Sequence, residues 1–137
     1  MTRFKILQSP EGLALRDTYS RQKPLVIDFI RMEHRLKQAG RRSELIVQAV
    51  RPRQGLKVMD CTAGLGTDAL ILAHLGCEVT LVERSPVMAG LLDDAIKRAR
   101  QHQTLAEAAA RLHLVCAEAG SLLGRHLQQD VVYLDPM

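Results

Sequence analysis

The stretch Val58-Met59-Asp60-Cys61-Thr62-Ala63-Gly64-Leu65-Gly66-Thr67-Asp68 constrains this chain more than any other. An apolar run, Leu56 to Met59, ends in an acid. Two glycines follow, and then a helix-compatible run from Asp68 to Leu75. The order reads as strand, tight turn, helix. Glycine suits such a turn because it tolerates positive φ and lets a ligand approach the backbone without a Cβ in the way. The free amides that open the helix can then bind a polar or anionic group.

A regular alternation continues from there. Gly76 ends the predicted helix, and Cys77–Glu83 is a second predicted strand. Ser85 is placed to cap the next helix, with Pro86 at its favoured first position. Met88, Leu91, Leu92, Ala95, Ile96 and Ala99 form one apolar stripe along that helix. Asp93, Asp94, Lys97, Arg98 and Arg100 lie mostly off it, acids before bases, as the helix dipole prefers. Thr104 and Glu107 have the spacing of a capping box for a further helical piece through Arg111. Leu112–Cys116 is the third predicted strand, 122–127 a short helix, and Val131–Leu134 the fourth strand. Strands alternating with helices imply an α/β fold with a parallel sheet and right-handed crossovers. In such sheets ligands bind beyond the carboxyl ends of the strands. Asp60, Glu83, Glu118 and Asp135 each stand at or just past one of those ends.

The first 55 residues are of another kind. They carry 12 Lys/Arg and 5 Asp/Glu, a net +7, whereas residues 56–137 carry 7 and 10, a net −3. Residues 1–23 show no clean period, and Leu25 to Ile30 is compatible with a strand or a helix start. Arg31 to Gln38 is basic and helix-compatible, Gly40 is a plausible stop, and Ser43 can cap a helix from Leu45 to Val50. We therefore divide the chain into a basic segment, 1–55, and a ligand-binding core, 56–137. A basic segment on an acidic body suits a polyanion such as a nucleic acid; a solvated basic surface is the other reading. Aromatic residues make up 3% of the chain and Trp is absent, which argues against a base-stacking platform. No apolar run approaches the roughly 20 residues of a membrane span, and residues 1–10 lack the apolar core of a signal peptide. Cys61, Cys77 and Cys116 form no C-x-x-C pair. They read as reduced thiols of a cytoplasmic protein, with Cys77 and Cys116 as small buried side chains. The five histidines, 34, 74, 102, 113 and 126, lack metal-ligand spacing, so no metal site is expected.

Gly64-Leu65-Gly66-Thr67-Asp68-Ala69 satisfies the dinucleotide fingerprint G-x-G-x-x-G/A. In dinucleotide binders, however, the first glycine directly follows the strand, and here Asp60 to Ala63 intervene. An acid at the strand end followed by Ala-Gly-x-Gly resembles the first motif of S-adenosylmethionine-dependent methyltransferases. That cofactor has no pyrophosphate, so a carboxylate near the turn is not repelled and favours its ammonium or sulfonium charge. Glu83 offers two oxygens to a pair of ribose hydroxyls. An NAD-type dehydrogenase is the weaker alternative. Val131 to Asp135-Pro136 resembles the motif of methyltransferases that act on exocyclic amino groups of bases. There Asp135 accepts from the amine, and Pro136 supports a rigid turn. Methyl transfer is mainly a positioning problem, and no nucleophilic constellation is present.

Taken together, Gly12-Leu13-Ala14-Leu15-Arg16, Asp28-Phe29, the segment Asp60 to Ala69, Leu75-Gly76-Cys77, Glu83 to Val87 with Leu91-Leu92-Asp93, and Val131 to Met137 resemble the bacterial small-subunit ribosomal RNA guanine-N2 methyltransferase J family. The resemblance implies a Rossmann-like class I methyltransferase fold, a parallel sheet with helices on both faces. It implies a cytoplasmic enzyme that uses S-adenosylmethionine to methylate the exocyclic N2 of a guanine in small-subunit ribosomal RNA, free or in the assembled subunit. Cofactor contacts are expected at Asp60, Gly64, Gly66, Thr67, Asp68, Glu83, Arg84, Glu118, Ala119 and Asp135, with Asp135 and Pro136 at the base. Thr67 stands where the family usually has Arg. The motif at Met137 continues in the family with Phe-Pro. The last strands are therefore expected to be missing, and residues 1–137 alone to have weak or no activity. A non-catalytic RNA- or ribosome-binding module that keeps the fold is the alternative.

Overall fold

The computed structural model describes residues 2–38, 45–123 and 128–135. Seven strands and six α-helices make up these parts. An antiparallel sheet comes first: β1 (Phe4–Ser9), β2 (Gly12–Asp17) and the short β3 (Leu25–Val26), in that order. A 3-10 turn (Phe29–Met32) leads into α1 (Glu33–Gln38), and α2 (Leu45–Val50) follows. The alternating part runs β4 (Lys57–Asp60), α3 (Thr67–His74), β5 (Glu78–Glu83), α4 (Pro86–Arg100), α5 (Ala106–Ala109), β6 (Leu112–Cys116), α6 (Ala119–Leu123) and β7 (Val131–Tyr133).

The four later strands form one parallel sheet in the order β6-β5-β4-β7. Strand order therefore reverses beside β4: the chain moves outward from β4 through β5 to β6, then returns to pair β7 with β4's other edge. Right-handed crossovers put α3 and α4 on one face of this sheet. The reversal opens a crevice at the carboxyl end of β4.

Burial explains which helix goes where. Ala69 to Ala73 are all fully buried, so α3 has no solvent stripe; it lies between the sheet and its neighbours α2 and α5. Helix α4 is amphipathic. Leu91, Leu92, Ala95, Ile96 and Ala99 are buried as its spacing predicts, while Asp93 and Lys97 pair on the outer face at 2.8 Å. The Ser85 hydroxyl accepts from the Met88 amide at 3.3 Å, and Pro86 opens the helix. Its acids are mid-helix, not in the first turn; its last turn is basic.

The antiparallel sheet is latched onto α4. The Leu13 amide donates to Asp94 at 2.9 Å, and the Arg98 guanidinium donates to Asp94 at 2.9 Å and to the Ile27 carbonyl. Arg98 also lies 3.7 Å from Asp28. Gly12 (φ 132°) leaves room for this guanidinium: a Cβ there would stand 2.5 Å from it.

Several expectations change. Residues 1–23, read as unpatterned, contain a β-hairpin. The Thr104–Glu107 capping box does not form. The Thr104 hydroxyl bonds Glu33 and His102, Glu107 pairs with Arg111 at 2.9 Å, and Leu105 caps α5 without a side-chain bond. Cys77 is buried, but Cys116, at the sheet's margin on β6, is exposed. Gly40, Ser43 and most of the predicted helix 122–127 lie outside the described residues. Among the described residues, no helix is long and apolar enough to cross a membrane, and no cluster of His, Cys, Asp or Glu could hold a metal ion.

Candidate active site

The turn after β4 is built as its glycines require. Gly64 (φ 54°) and Gly66 (φ 78°) are both left-handed, a region that costs other residues about 1–2 kcal/mol. Their missing side chains would meet different surroundings. A Cβ on Gly64 would meet nothing nearer than the Thr62 carbonyl at 3.8 Å, whereas one on Gly66 would stand 2.9 Å from Phe29 Cζ and 3.0 Å from Leu92 Cδ2. Gly64 lines a cavity of about 660 Å³; Gly66 packs against the core behind it.

This cavity sits in the crevice that the strand reversal opens. Its walls are residues 60–65, Thr67 and Asp68 from the β4–α3 turn, 82–84 from β5, 117–120 after β6, and Asp135 after β7. The structure thus brings together Asp60, Gly64, Thr67, Asp68, Glu83, Arg84, Glu118, Ala119 and Asp135. Gly66 is not on the cavity wall, and Pro136 lies outside the described residues.

Hydrogen bonds fix the acids. Asp60 is 1% exposed, and its Oδ1 accepts from the Thr62 amide at 3.0 Å and from the Thr62 hydroxyl at 3.4 Å. The same hydroxyl accepts from the Asp135 amide at 2.8 Å, so one threonine ties the ends of β4 and β7 together. The Cys61 amide donates to the Tyr133 carbonyl at 3.0 Å, and the Tyr133 hydroxyl donates to Asp68 Oδ2 at 2.9 Å. Burial, the Asp68 hydrogen bond and nearby carboxylates push the Tyr133 phenol upward, keeping it a neutral donor. Glu83 Oε1 accepts from the Ser85 amide at 3.0 Å. Thr62 and Tyr133 are site residues that sequence reasoning did not single out. Tyr133 shares one face of β7 with Val131, and that alternation was the available signal.

The cavity is rich in negative charge, and one of its carboxylates, Asp60, is held away from water. Burial pushes the Asp60 carboxyl up to about 6, the Thr62 amide opposes this, and the charges of Asp68 and Asp135 add to it. The folded chain therefore holds this proton more tightly than the unfolded chain, whose Asp titrates near about 3.9. Stability from this site is complete below that lower value and is lost as pH rises through about 6. Asp60→Asn keeps the acceptor for Thr62 and removes the charge. In urea denaturation it should stabilise the ligand-free chain by about 2–3 kcal/mol at pH 8, with the gain vanishing near pH 4. A gain that persists at low pH would show that the charge is not the cause.

A family model described as "Putative SAM-dependent methyltransferase" matches residues 1–137. The ribosomal RNA small subunit methyltransferase J of Colwellia psychrerythraea is 44% identical over 115 residues, covering 81% of this chain and 42% of the relative. That of Dechloromonas aromatica is 39% identical over 141 residues, covering 98% and 58%. The chain thus spans about half the length of the curated relatives it matches. Among solved structures, a SAM-dependent methyltransferase from Neisseria gonorrhoeae superposes with a TM-score of 0.78 at 34% identity, over 96% of this chain and 56% of that one.

Proposed function

The chain belongs to the SAM-dependent methyltransferase family, among relatives named ribosomal RNA small subunit methyltransferase J, and from that premise we propose that it binds S-adenosylmethionine and serves methyl transfer to the exocyclic N2 of a guanine in small-subunit ribosomal RNA. The observation that carries this reading is the convergence of four strand-end acids, Asp60, Glu83, Glu118 and Asp135, on one cavity.

The cavity suits that cofactor. Its volume of about 660 Å³ falls within the range of small-molecule sites. The face left open by Gly64 admits a ligand against the backbone. Glu83 spends one contact on the Ser85 amide and keeps acceptor capacity for ribose hydroxyls. Buried Asp60 gains from any cation placed beside it. Bound S-adenosylmethionine supplies an electrophilic methyl group on a sulfonium. The protein's part is to position. Thr62 anchors Asp135, and the exposed Asp135 carboxylate accepts from the substrate amine and orients its nitrogen toward the methyl group. Arg84, Glu118 and Ala119 close the cavity on the side of β5 and β6. In this reading residues 56–137 are the cofactor-binding core, and residues 1–55 reach toward RNA. The work is placed in the cytoplasm, on free RNA or on the assembled subunit.

The test is methylation of undermodified ribosomes with radiolabelled donor, using the protein as the cell makes it, followed by mapping of the label. Label is expected on the N2 of one guanine. Asp135→Ala is expected to lower the rate by about 10- to 100-fold, the value of a lost hydrogen bond to a charged group. Label on another atom would overturn the assignment. RNA binding without S-adenosylhomocysteine binding would instead identify a non-catalytic module.

A further inference from the structure

The chain has only four aromatic residues, and the fold sets two of them against one guanidinium on its surface. Phe4 and Tyr19 are 52% and 79% exposed, with the Arg3 guanidinium 5.0 Å from one ring centroid and 5.3 Å from the other. Arg3 is held there by Asp17, at 2.7 Å and 2.9 Å. Beside this stack the hairpin and the loop that follows it form a shallow pocket of about 160 Å³. Phe4, Leu15 and Leu25 give it an apolar floor, and Asp17, Gln22 and Lys23 give it a polar rim. The register explains the floor: Ile6 pairs with Leu15, and Leu15 with Leu25, so Phe4, Ile6, Leu15 and Leu25 share one face of the sheet. Exposed Ile6 extends that face.

The charge around the pocket is one-sided. Residues 2–26 hold five Lys/Arg and two Asp/Glu, and Asp17 is already occupied by Arg3. Arg21 and Lys23 are exposed on the loop, and Lys5 and Arg16 are register partners on the opposite face. None of these four cations has an ion-pair partner among the described residues. An exposed apolar face would otherwise suit a protein partner, but the unpaired loop cations Arg21 and Lys23 beside it, with Lys5 and Arg16 on the reverse face of the same sheet, favour a polyanion. Flat apolar floor, hydrogen-bonding rim, exposed ring and free cations together match an unpaired nucleobase with its phosphates.

We propose that the N-terminal sheet is a docking site for single-stranded RNA, with one base in the Phe4–Leu15–Leu25 pocket, a neighbouring base stacked on Tyr19, and phosphates on Arg21 and Lys23. The site deepens the RNA reading above and rests on it. It lies outside the methyl-transfer cavity, with which it shares no lining residue.

The experiment is fluorescence anisotropy of the chain with a labelled single-stranded RNA of mixed sequence, across a salt series. Tyr19→Ala is expected to weaken binding about tenfold without changing the salt slope. Arg21→Ala/Lys23→Ala is expected to reduce the slope of log affinity against log salt by about 1.4. Fully paired RNA should be insensitive to Tyr19→Ala. All three side chains are exposed, so thermal unfolding should not move and a fold defect would be visible. Binding that is absent, or equal in native chain and variants, overturns the proposal, as does self-association through this face that RNA does not reverse. Calorimetry of S-adenosylhomocysteine on the same samples separates the two readings. Retained cofactor binding with unaltered RNA binding removes only the hairpin site; absent cofactor binding removes the methyltransferase reading itself.

Discussion

Gly66→Ala should destabilise the chain by about 2–5 kcal/mol, the sum of left-handed backbone strain and an overpacked core. Its φ of 78° is unfavourable for any L side chain, and the new methyl group would press on Phe29 and Leu92 from 2.9 and 3.0 Å. Both neighbours are buried, at 2% and 0% exposure, so neither can swing away. Against a typical domain stability of about 5–15 kcal/mol such a loss is severe. Gly64→Ala is the matched control. It carries the backbone strain alone, about 1–2 kcal/mol, because its Cβ enters open space. It should instead reduce affinity for S-adenosylhomocysteine, since that space belongs to the cavity. Urea denaturation and calorimetry of the two variants distinguish the roles. Equal stability losses would mean that the packing behind Gly66 has been misread.

On the proposed ribose contact, in which the Glu83 carboxylate accepts two hydrogen bonds, Glu83→Ala should weaken S-adenosylhomocysteine binding by about 100-fold or more. Glu83→Gln keeps an acceptor oxygen and should lose about tenfold. The side chain also accepts from the Ser85 amide, at the cap of α4. A merely structural role would therefore appear as a lower melting temperature in the ligand-free protein. The expected result is a large affinity loss with a small stability change. Native-like affinity in Glu83→Ala would remove Glu83 from the ribose contact.

The alternating half of the fold was legible because its signals are local. Ser85-Pro86 caps a helix whose apolar stripe runs from Met88 to Ala99, and Leu112–Cys116 is a continuous strand with the bounds expected. The hairpin was not legible. Ile6-Leu7 breaks the strict alternation of β1, and β1 is mostly exposed, so burial leaves no pattern in its sequence. What holds the hairpin down is Asp94 and Arg98, some 80 residues away. Thr104–Glu107 failed for a similar reason: Thr104 found Glu33, remote in sequence but adjacent in space. In the site, the acids were legible from their positions at strand ends. The division of labour between Gly64 and Gly66 was not, because the motif treats them alike and only the surroundings of the missing Cβ separate them. Nor could sequence spacing show that the Thr62 hydroxyl joins β4 to the strand that carries Asp135.

The pairing of β4 with β7 also sets a clock on synthesis. Val58 pairs with Val131, 73 residues later. At about 5–20 residues per second, the edge of β4 waits roughly 4–15 s on the ribosome for its partner. Over that interval β4, β5 and β6 can already assemble, because their partners arrive in sequence order. The strand that seats the buried Asp60 meanwhile presents an unpaired edge, and the arrival of β7 is what covers it.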